Sequence, residues 1–131
     1  MVSGCCFGMR ADFIKQNYCM DENVFMYYEE DILAHLMKKS GQKAKIAAKA
    51  QVIHNEAVST RKSGVDHLLF TRFYRWTSVL YVLKNYAKVN PLICKILSLM
   101  NVAEWHILAL LNRAYKEKLA AFISENKRVL K

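Results

Sequence analysis

The chain has 131 residues, of which 53% are hydrophobic, with one proline and four glycines. This composition predicts a single packed domain and excludes a disordered chain. A formal net charge of +9 favours an anionic partner, which leaves nucleic acid, an acidic membrane leaflet and a phosphorylated substrate open.

The cysteines and the first ten residues indicate where the protein is expected to reside. The cysteines form no C-x-x-C pattern and no cluster with histidine, which argues against a zinc site and favours the reducing cytoplasm. We expect them to be small buried side chains: Cys5, Cys6, Cys19 and Cys94. The start, MVSGCCFGMR, lacks the basic lead and apolar run of a signal peptide, so we expect an intracellular protein.

The first part of the chain mixes strand and helix patterns. Val2 to Met9 is apolar and rich in small residues, which predicts a buried strand, and Ala11 to Tyr18 has apolar residues near helical spacing. Residues 21–23, which read DEN, predict a turn, because aspartate often closes its own backbone turn. Lys43 to Ala48 and Gln51 to His54 are short candidate strands.

A longer helix is predicted from Tyr28 to Ser40. Lys38 and Lys39 favour its C-terminal end, and Gly41 can take the left-handed cap that follows. Its apolar stripe consists of Ile32, Leu33, Leu36 and Met37.

Three carboxylates, on Glu29, Glu30 and Asp31, stand together in the first turn of this predicted helix. Acids at that position stabilise a helix through its macrodipole by about 0.3 to 1 kcal/mol each, and one of them can also act as a general base. His54 ends the second candidate strand, where a neutral imidazole can bind a divalent metal and a protonated one can pair with phosphate. On residue pattern alone, a structural role is the more frequent one for both features.

The second part of the chain, after the small and polar seam at Ser59 to Gly64, is predicted to be helical throughout. Pro91 marks a break and the start of a new helix. Pro91 to Leu111 is strongly apolar, but two charged residues and a histidine interrupt it, so we expect packing on protein or on a membrane surface instead of a span. The helix before it has its apolar seam at Leu69, Phe73, Trp76, Leu80 and Leu83, and the tail from Arg113 to Lys131 is again amphipathic.

Three segments of the first part resemble the C-terminal half of a family 2 glycosyltransferase of the rhamnosyltransferase-like type. They read SGCCFGMR, MDENVFMYYEEDILAHLMKKSGQK and AKAQVIHNEAVST. The family pattern is an SG strand that leads to an arginine, a DE turn, an aromatic pair, an acidic pair that opens a helix, a glycine turn and a V-x-H strand end. The matching residues are Ser3, Gly4, Arg10, Asp21, Glu22, Phe25, Tyr27, Glu29, Glu30, Gly41, Lys43, Val52 and His54.

The resemblance implies a GT-A type fold and an inverting transfer of a sugar from a nucleotide sugar to an acceptor hydroxyl. Such a displacement needs a base on the acceptor side and charge stabilisation at the departing diphosphate. By position, Glu30 corresponds to the catalytic acid of the family, with Asp31 as the alternative and Glu29 then orienting a neighbour or the acceptor. His54 corresponds to a histidine that reaches the metal or the diphosphate, and Mg or Mn is the metal expected in the complete enzyme.

The sequence also departs from the family, because it contains neither the N-terminal α/β half nor a D-x-D metal motif. We therefore expect an α+β chain, with residues 1–60 as the acceptor-side, C-terminal portion of a GT-A fold and residues 61–131 as a basic, amphipathic α-helical extension. Such a chain is a truncated or split transferase of cell-envelope polysaccharide synthesis that is inactive alone and binds no metal tightly. Its expected partners are a nucleotide-sugar donor, a saccharide or lipid-linked acceptor and the missing N-terminal half.

A second hypothesis involves no enzyme. The chain would be a basic helical protein that binds an anionic membrane surface, where each nearby lysine or arginine contributes about 1 kcal/mol. Its location would be cytoplasmic and peripheral on the inner face of the cell membrane. Nucleic acid is not an expected partner, because no RNP-type motif, zinc finger or helix-turn-helix is recognisable in the sequence.

Overall fold

The computed structural model describes residues 6–17, 21–53 and 65–131. Five α-helices account for most of these residues, and no strand occurs among them. The helices are α1 (Ala11–Asn17), α2 (Glu29–Lys39), α3 (Val65–Asn85), α4 (Pro91–Leu111) and α5 (Arg113–Leu130). The described part of the chain is therefore all-α.

The prediction of an α+β fold with a GT-A portion is wrong for the described residues. Residues 6–9, 43–48 and 51–53, which belonged to predicted strands, have irregular or turn backbone. Residues 43–53 are all exposed, and a strand needs a neighbouring strand to satisfy its backbone groups, which the described residues do not provide. The remaining parts of the predicted strands, residues 2–5 and His54, and the predicted seam at residues 59–64 lie outside the described residues.

The predicted helix of the first part is confirmed as α2, and so is its left-handed cap. Gly41 has φ of 67°. The N–H groups of Gly41 and Gln42 donate to the carbonyls of Lys38 and Met37, at 3.3 and 2.9 Å. This pair of bonds is the Schellman closure that glycine favours, because a left-handed residue there has no Cβ to clash.

Asparagines cap the two helices that follow the predicted break at Pro91. Asn90 precedes this proline, and its Oδ1 accepts from the N–H of Leu92 at 2.8 Å. Asn112 is the single residue between α4 and α5, and its Oδ1 accepts from the N–H of Ala114 at 2.9 Å. Because its backbone is extended, Asn112 reverses the chain, and α4 and α5 form an antiparallel hairpin.

Helices α3, α4 and α5 pack as a three-helix bundle around an aromatic core. The rings of Trp105 and Phe122 are stacked, with centroids 4.0 Å apart and planes 9° from parallel. Phe73 of α3 meets both rings edge-on, at 6.0 and 5.7 Å. Each such pair contributes about 0.5 to 1.5 kcal/mol beyond its buried area. The stack therefore determines which side of α4 faces the bundle.

Residues 21–28, which we call the strap, run along α3 before α2 begins. The hydroxyl of Ser78 donates to the carbonyl of Met26 at 2.7 Å. The rings of Phe25 and Tyr74 lie 4.9 Å apart. These contacts join the first part of the chain to the bundle.

Candidate functional site

The three predicted acids lie in the first turn of α2, as the sequence predicted. Glu29 is exposed, whereas Glu30 and Asp31 are half-buried. Tyr27 and Tyr28 precede them with φ of 68° and 67°, a left-handed conformation that costs a non-glycine residue about 1 to 2 kcal/mol. Helix geometry alone brings the three acids together, and the role of Glu30 as a base, with Asp31 as its alternative, stays a prediction.

The predicted metal ligand, His54, lies outside the described residues. Within the described ranges, no three histidine, cysteine, aspartate or glutamate side chains are grouped so that they would hold a metal ion. The Mg or Mn site therefore stays a prediction without a described set of ligands. Of the cysteines predicted to be buried, Cys94 is buried, Cys6 is exposed, and the other two lie outside the described residues.

Helix α4 exposes many large apolar side chains. Of the fifteen exposed large hydrophobic residues in the described part of the chain, eight lie on α4. Leu99 is 69% exposed and Leu110 is 87% exposed. Six of the eight fall within about 100° of the helix circumference at 3.6 residues per turn, and we call them the apolar face. They are Leu92, Ile96, Leu99, Met100, Ile107 and Leu110.

The buried side of α4 is mixed, because polar groups lie beside the apolar residues Val102, Trp105 and Leu108 that pack in the core. The hydroxyl of Ser98 donates to Oδ1 of Asn126 at 3.2 Å, and the Asn126 amide donates to the carbonyl of Phe122 at 2.9 Å. Asn101 Nδ2 and Trp105 Nε1 are buried without a hydrogen-bond partner among the described residues. In a water-soluble bundle the large aliphatic side chains face the core. Small and polar residues between helices, with aliphatic residues outside, are typical of helices that contact lipid.

The charges around the apolar face are compensated or positive. Glu104 is the only acid of α4, and it forms an ion pair with Arg72 of α3. Leu68 and Arg75 lie one helical turn on either side of Arg72, and both are exposed. Lys95 is exposed on α4 itself. The rim of the apolar face is therefore basic, and its one acid has a partner.

By length and composition, α4 could also cross a membrane. Its 21 residues span about 31 Å, which matches the hydrocarbon core of a bilayer. Its packing opposes such a span, because α5 is stacked against it through Phe122 and carries many charges, each of which costs a few kcal/mol at the bilayer centre. These charged residues are Arg113, Lys116, Glu117, Lys118, Glu125, Lys127 and Arg128. A bundle that lies on the surface brings the apolar face to the lipid and leaves α5 in water.

Asp21 holds the strap on the side of α3 turned away from α4. Its Oδ2 accepts from the hydroxyls of Tyr81 and Tyr86, at 2.8 and 2.7 Å. Its Oδ1 accepts from the backbone N–H and the side-chain amide of Asn23, both at 2.9 Å. The backbone bond confirms the turn predicted at residues 21–23. Arg128 of α5 also reaches Asn23, so the strap touches two helices of the bundle.

These hydrogen bonds shift the pKa values of the groups that make them. Partial burial alone would raise the pKa of Asp21, but the hydrogen bonds from Tyr86, Asn23 and Tyr81 outweigh it, and the pKa lies below its ordinary value. Burial and the bond to the Asp21 carboxylate raise the pKa of Tyr81 to about 12. The same two causes raise the pKa of Tyr86. The cluster therefore keeps a charged carboxylate beside two neutral phenols.

The sequence predicted an apolar α4 on protein or on a membrane surface, but it did not predict which side of α4 would face outward. The available signal was a second stripe on the same helix. Cys94, Ser98, Asn101 and Trp105 lie within about 60° of one another at 3.6 residues per turn, opposite the apolar face. A stripe of small and polar residues on a strongly apolar helix favours that stripe as the packing side.

In comparisons with known proteins, no family model, curated protein or solved structure matches this chain. The recognised resemblance to family 2 glycosyltransferases is wrong, because the described residues are helical and contain none of the strands that a GT-A fragment requires. The matched motifs have local causes instead. The DE motif is the turn closed by Asp21, and the GQK motif is the cap that Gly41 forms at the end of α2. Turns and caps of this kind recur in unrelated proteins.

Proposed function

We propose that this chain is a peripheral membrane protein that attaches to an anionic membrane surface through the apolar face of α4. The observation that carries the proposal is the contiguous exposed apolar face of α4, which lies opposite a buried side that includes the small and polar residues Cys94, Ser98 and Asn101. Contiguous exposed apolar surface on a folded protein marks a contact with lipid or protein. Lipid is favoured because the rim is basic and the chain has a net charge of +9.

The proposal involves no chemical step. Sugar transfer was expected only from the resemblance, and no described feature of the chain supports it. The cytoplasmic location, peripheral on the inner face of the cell membrane, belongs to the present proposal because that leaflet carries the anionic lipid.

Vesicle flotation tests the proposal with the double variant Leu99→Gln/Leu110→Gln. Both side chains are exposed, so we expect the fold to remain intact by circular dichroism. Burying a leucine stabilises the bound state by about 1.5 to 3 kcal/mol, so even partial insertion of two should weaken binding about 30-fold or more when they are lost. The matched control is Phe7→Gln/Ile14→Gln, which removes two exposed apolar side chains from the first part of the chain.

Two outcomes would contradict the proposal. One is a wild-type chain that does not float with vesicles of any composition. The other is a protein partner on the apolar face, which would appear as a wild-type dimer that the α4 variant converts to a monomer in light scattering.

A further inference from the structure

A second basic surface lies outside the bundle, in the segment that begins with the last two residues of α2. Residues 38–53, which we call the lysine segment, are all exposed. No acidic residue occurs between Asp31 and Glu56 in the sequence. The segment carries five lysines, and none of them forms an ion pair with another described residue: Lys38, Lys39, Lys43, Lys45 and Lys49.

Three larger aliphatic side chains lie among these lysines or just after them, and all three are exposed. Ile46 is 85% exposed and Ile53 is 93% exposed, and Val52 is also exposed. Lysines beside exposed aliphatic residues suit the boundary between the headgroups and the acyl chains of an anionic membrane, since each kind of side chain meets its complement there.

The backbone of the lysine segment is bonded locally and is not tied to the bundle. Beyond the end of α2, its described backbone hydrogen bonds run from Ser40, Gly41 and Gln42 back to the last turns of α2, at 3.0, 3.3 and 2.9 Å, and from Ala50 to Ala47 at 2.9 Å. The left-handed Gly41 turns the chain away from the axis of α2. The segment can therefore meet a charged surface without any change in the packing of α3, α4 and α5.

We infer that the lysine segment binds the phosphate-bearing headgroups of anionic lipids, as a second membrane contact that is independent of the apolar face. The inference rests on the proposed function, because the bilayer is the partner in both. The apolar face supplies attachment to any lipid surface, and the lysine segment supplies the preference for an anionic one. The attraction acts within a Debye length of the surface, so salt weakens it.

The test uses the full chain and two vesicle compositions, phosphatidylcholine alone and phosphatidylcholine with phosphatidylserine. The variant Lys43→Gln/Lys45→Gln/Lys49→Gln should bind the anionic vesicles about a hundredfold more weakly at low salt, because each lysine contributes about fivefold. Its binding to phosphatidylcholine should not change. The matched control, Lys116→Gln/Lys118→Gln/Lys127→Gln, removes the same charge from exposed positions of α5 and should lose far less.

The results separate this inference from the proposed function. An equal loss in both lysine variants would show that overall charge sets the preference for anionic vesicles. An unchanged preference in the first variant would show that the lysine segment does not bind lipid. Either result overturns the inference while the α4 experiment still stands. Tighter binding of the wild-type chain to a short DNA duplex than to anionic vesicles, abolished by the same three substitutions, would overturn the lipid assignment as well.

Discussion

Asp21 makes four hydrogen bonds with one carboxylate and so connects the turn at residues 21–23 to α3. Two of the donors are the phenols of Tyr81 and Tyr86, which lie 60 and 65 residues further along the chain. A hydrogen bond to a charged group contributes about 1.5 to 3 kcal/mol, and a buried group that loses its partner is costly. This residue therefore links the strap to the bundle more strongly than the aromatic contact of Phe25 does.

The stability of the fold should fall at both ends of the pH scale because of this cluster. The folded pKa of Asp21 is lowered, so its contribution is present above its ordinary value of 3.8 and is lost as the pH falls below it. The folded pKa of Tyr81 is raised, so its contribution is present below 10.0 and is lost as the pH rises toward about 12.

Urea unfolding across this pH range measures both effects. The variant Asp21→Asn should reduce the fall in the free energy of unfolding at low pH, because the residue no longer titrates. Glu22→Gln at the exposed neighbour should leave this fall, which we call the acid limb, unchanged. An acid limb that is the same in Asp21→Asn and the wild type would show that other carboxylates control it.

At the scale of helices, α4 and α5 share two buried asparagines with different surroundings. Asn126 accepts from Ser98 and donates to Phe122, whereas the Asn101 amide nitrogen has no described partner. Asn126→Ala should lower the free energy of unfolding by about 1 to 3 kcal/mol, because the Ser98 hydroxyl loses its acceptor. Asn101→Ala should change it by less than about 1 kcal/mol, since no hydrogen bond is lost and alanine favours the helix. Equal losses in chemical denaturation would contradict this difference.

The helices were predictable from sequence because their signals are local. The cap at Gly41, the start at Pro91 and the apolar spacing of α3 each depend on residues within a few turns. The strands predicted at 43–48 and in 51–53 failed because alternation of apolar and polar residues does not show whether a pairing partner exists. A strand forms only when a second segment pairs with it, so a short alternating pattern in one segment is weak evidence for a strand.

The candidate site was predictable only in part. The apolar composition of α4 indicated a contact surface, but large side chains occur on both of its sides, and the stripe of small and polar residues was the one periodic signal for the inner side. The stack of Trp105 on Phe122 makes that assignment, and it depends on a residue of another helix. The acids at 29–31 form a charged cluster that resembles an active site, although helix starts favour acidic residues for electrostatic reasons alone.

At the scale of the whole molecule, the proposal requires the bundle to stay intact on the membrane. Trp105 is fully buried, and Trp76 is the only other tryptophan, so Trp76→Phe leaves one internal reporter. In this variant the emission of Trp105 should stay shielded from acrylamide and from brominated lipid when the protein binds vesicles. Strong quenching by the lipid would mean that α4 separates from α5 on the membrane, because the indole is buried between these helices.

The position of the strap matters once the molecule has a fixed orientation on the membrane. Thr71, Tyr74 and Ser78, which meet the strap, lie about 100° to 160° around α3 from Arg72, which faces α4. A bundle that rests on α4 therefore displays the strap toward the water, including the ring of Phe25, which is 70% exposed. Every bound copy would have the same orientation, so all of them would expose the strap to the water. A soluble partner that recognises the strap could then reach it on every bound molecule.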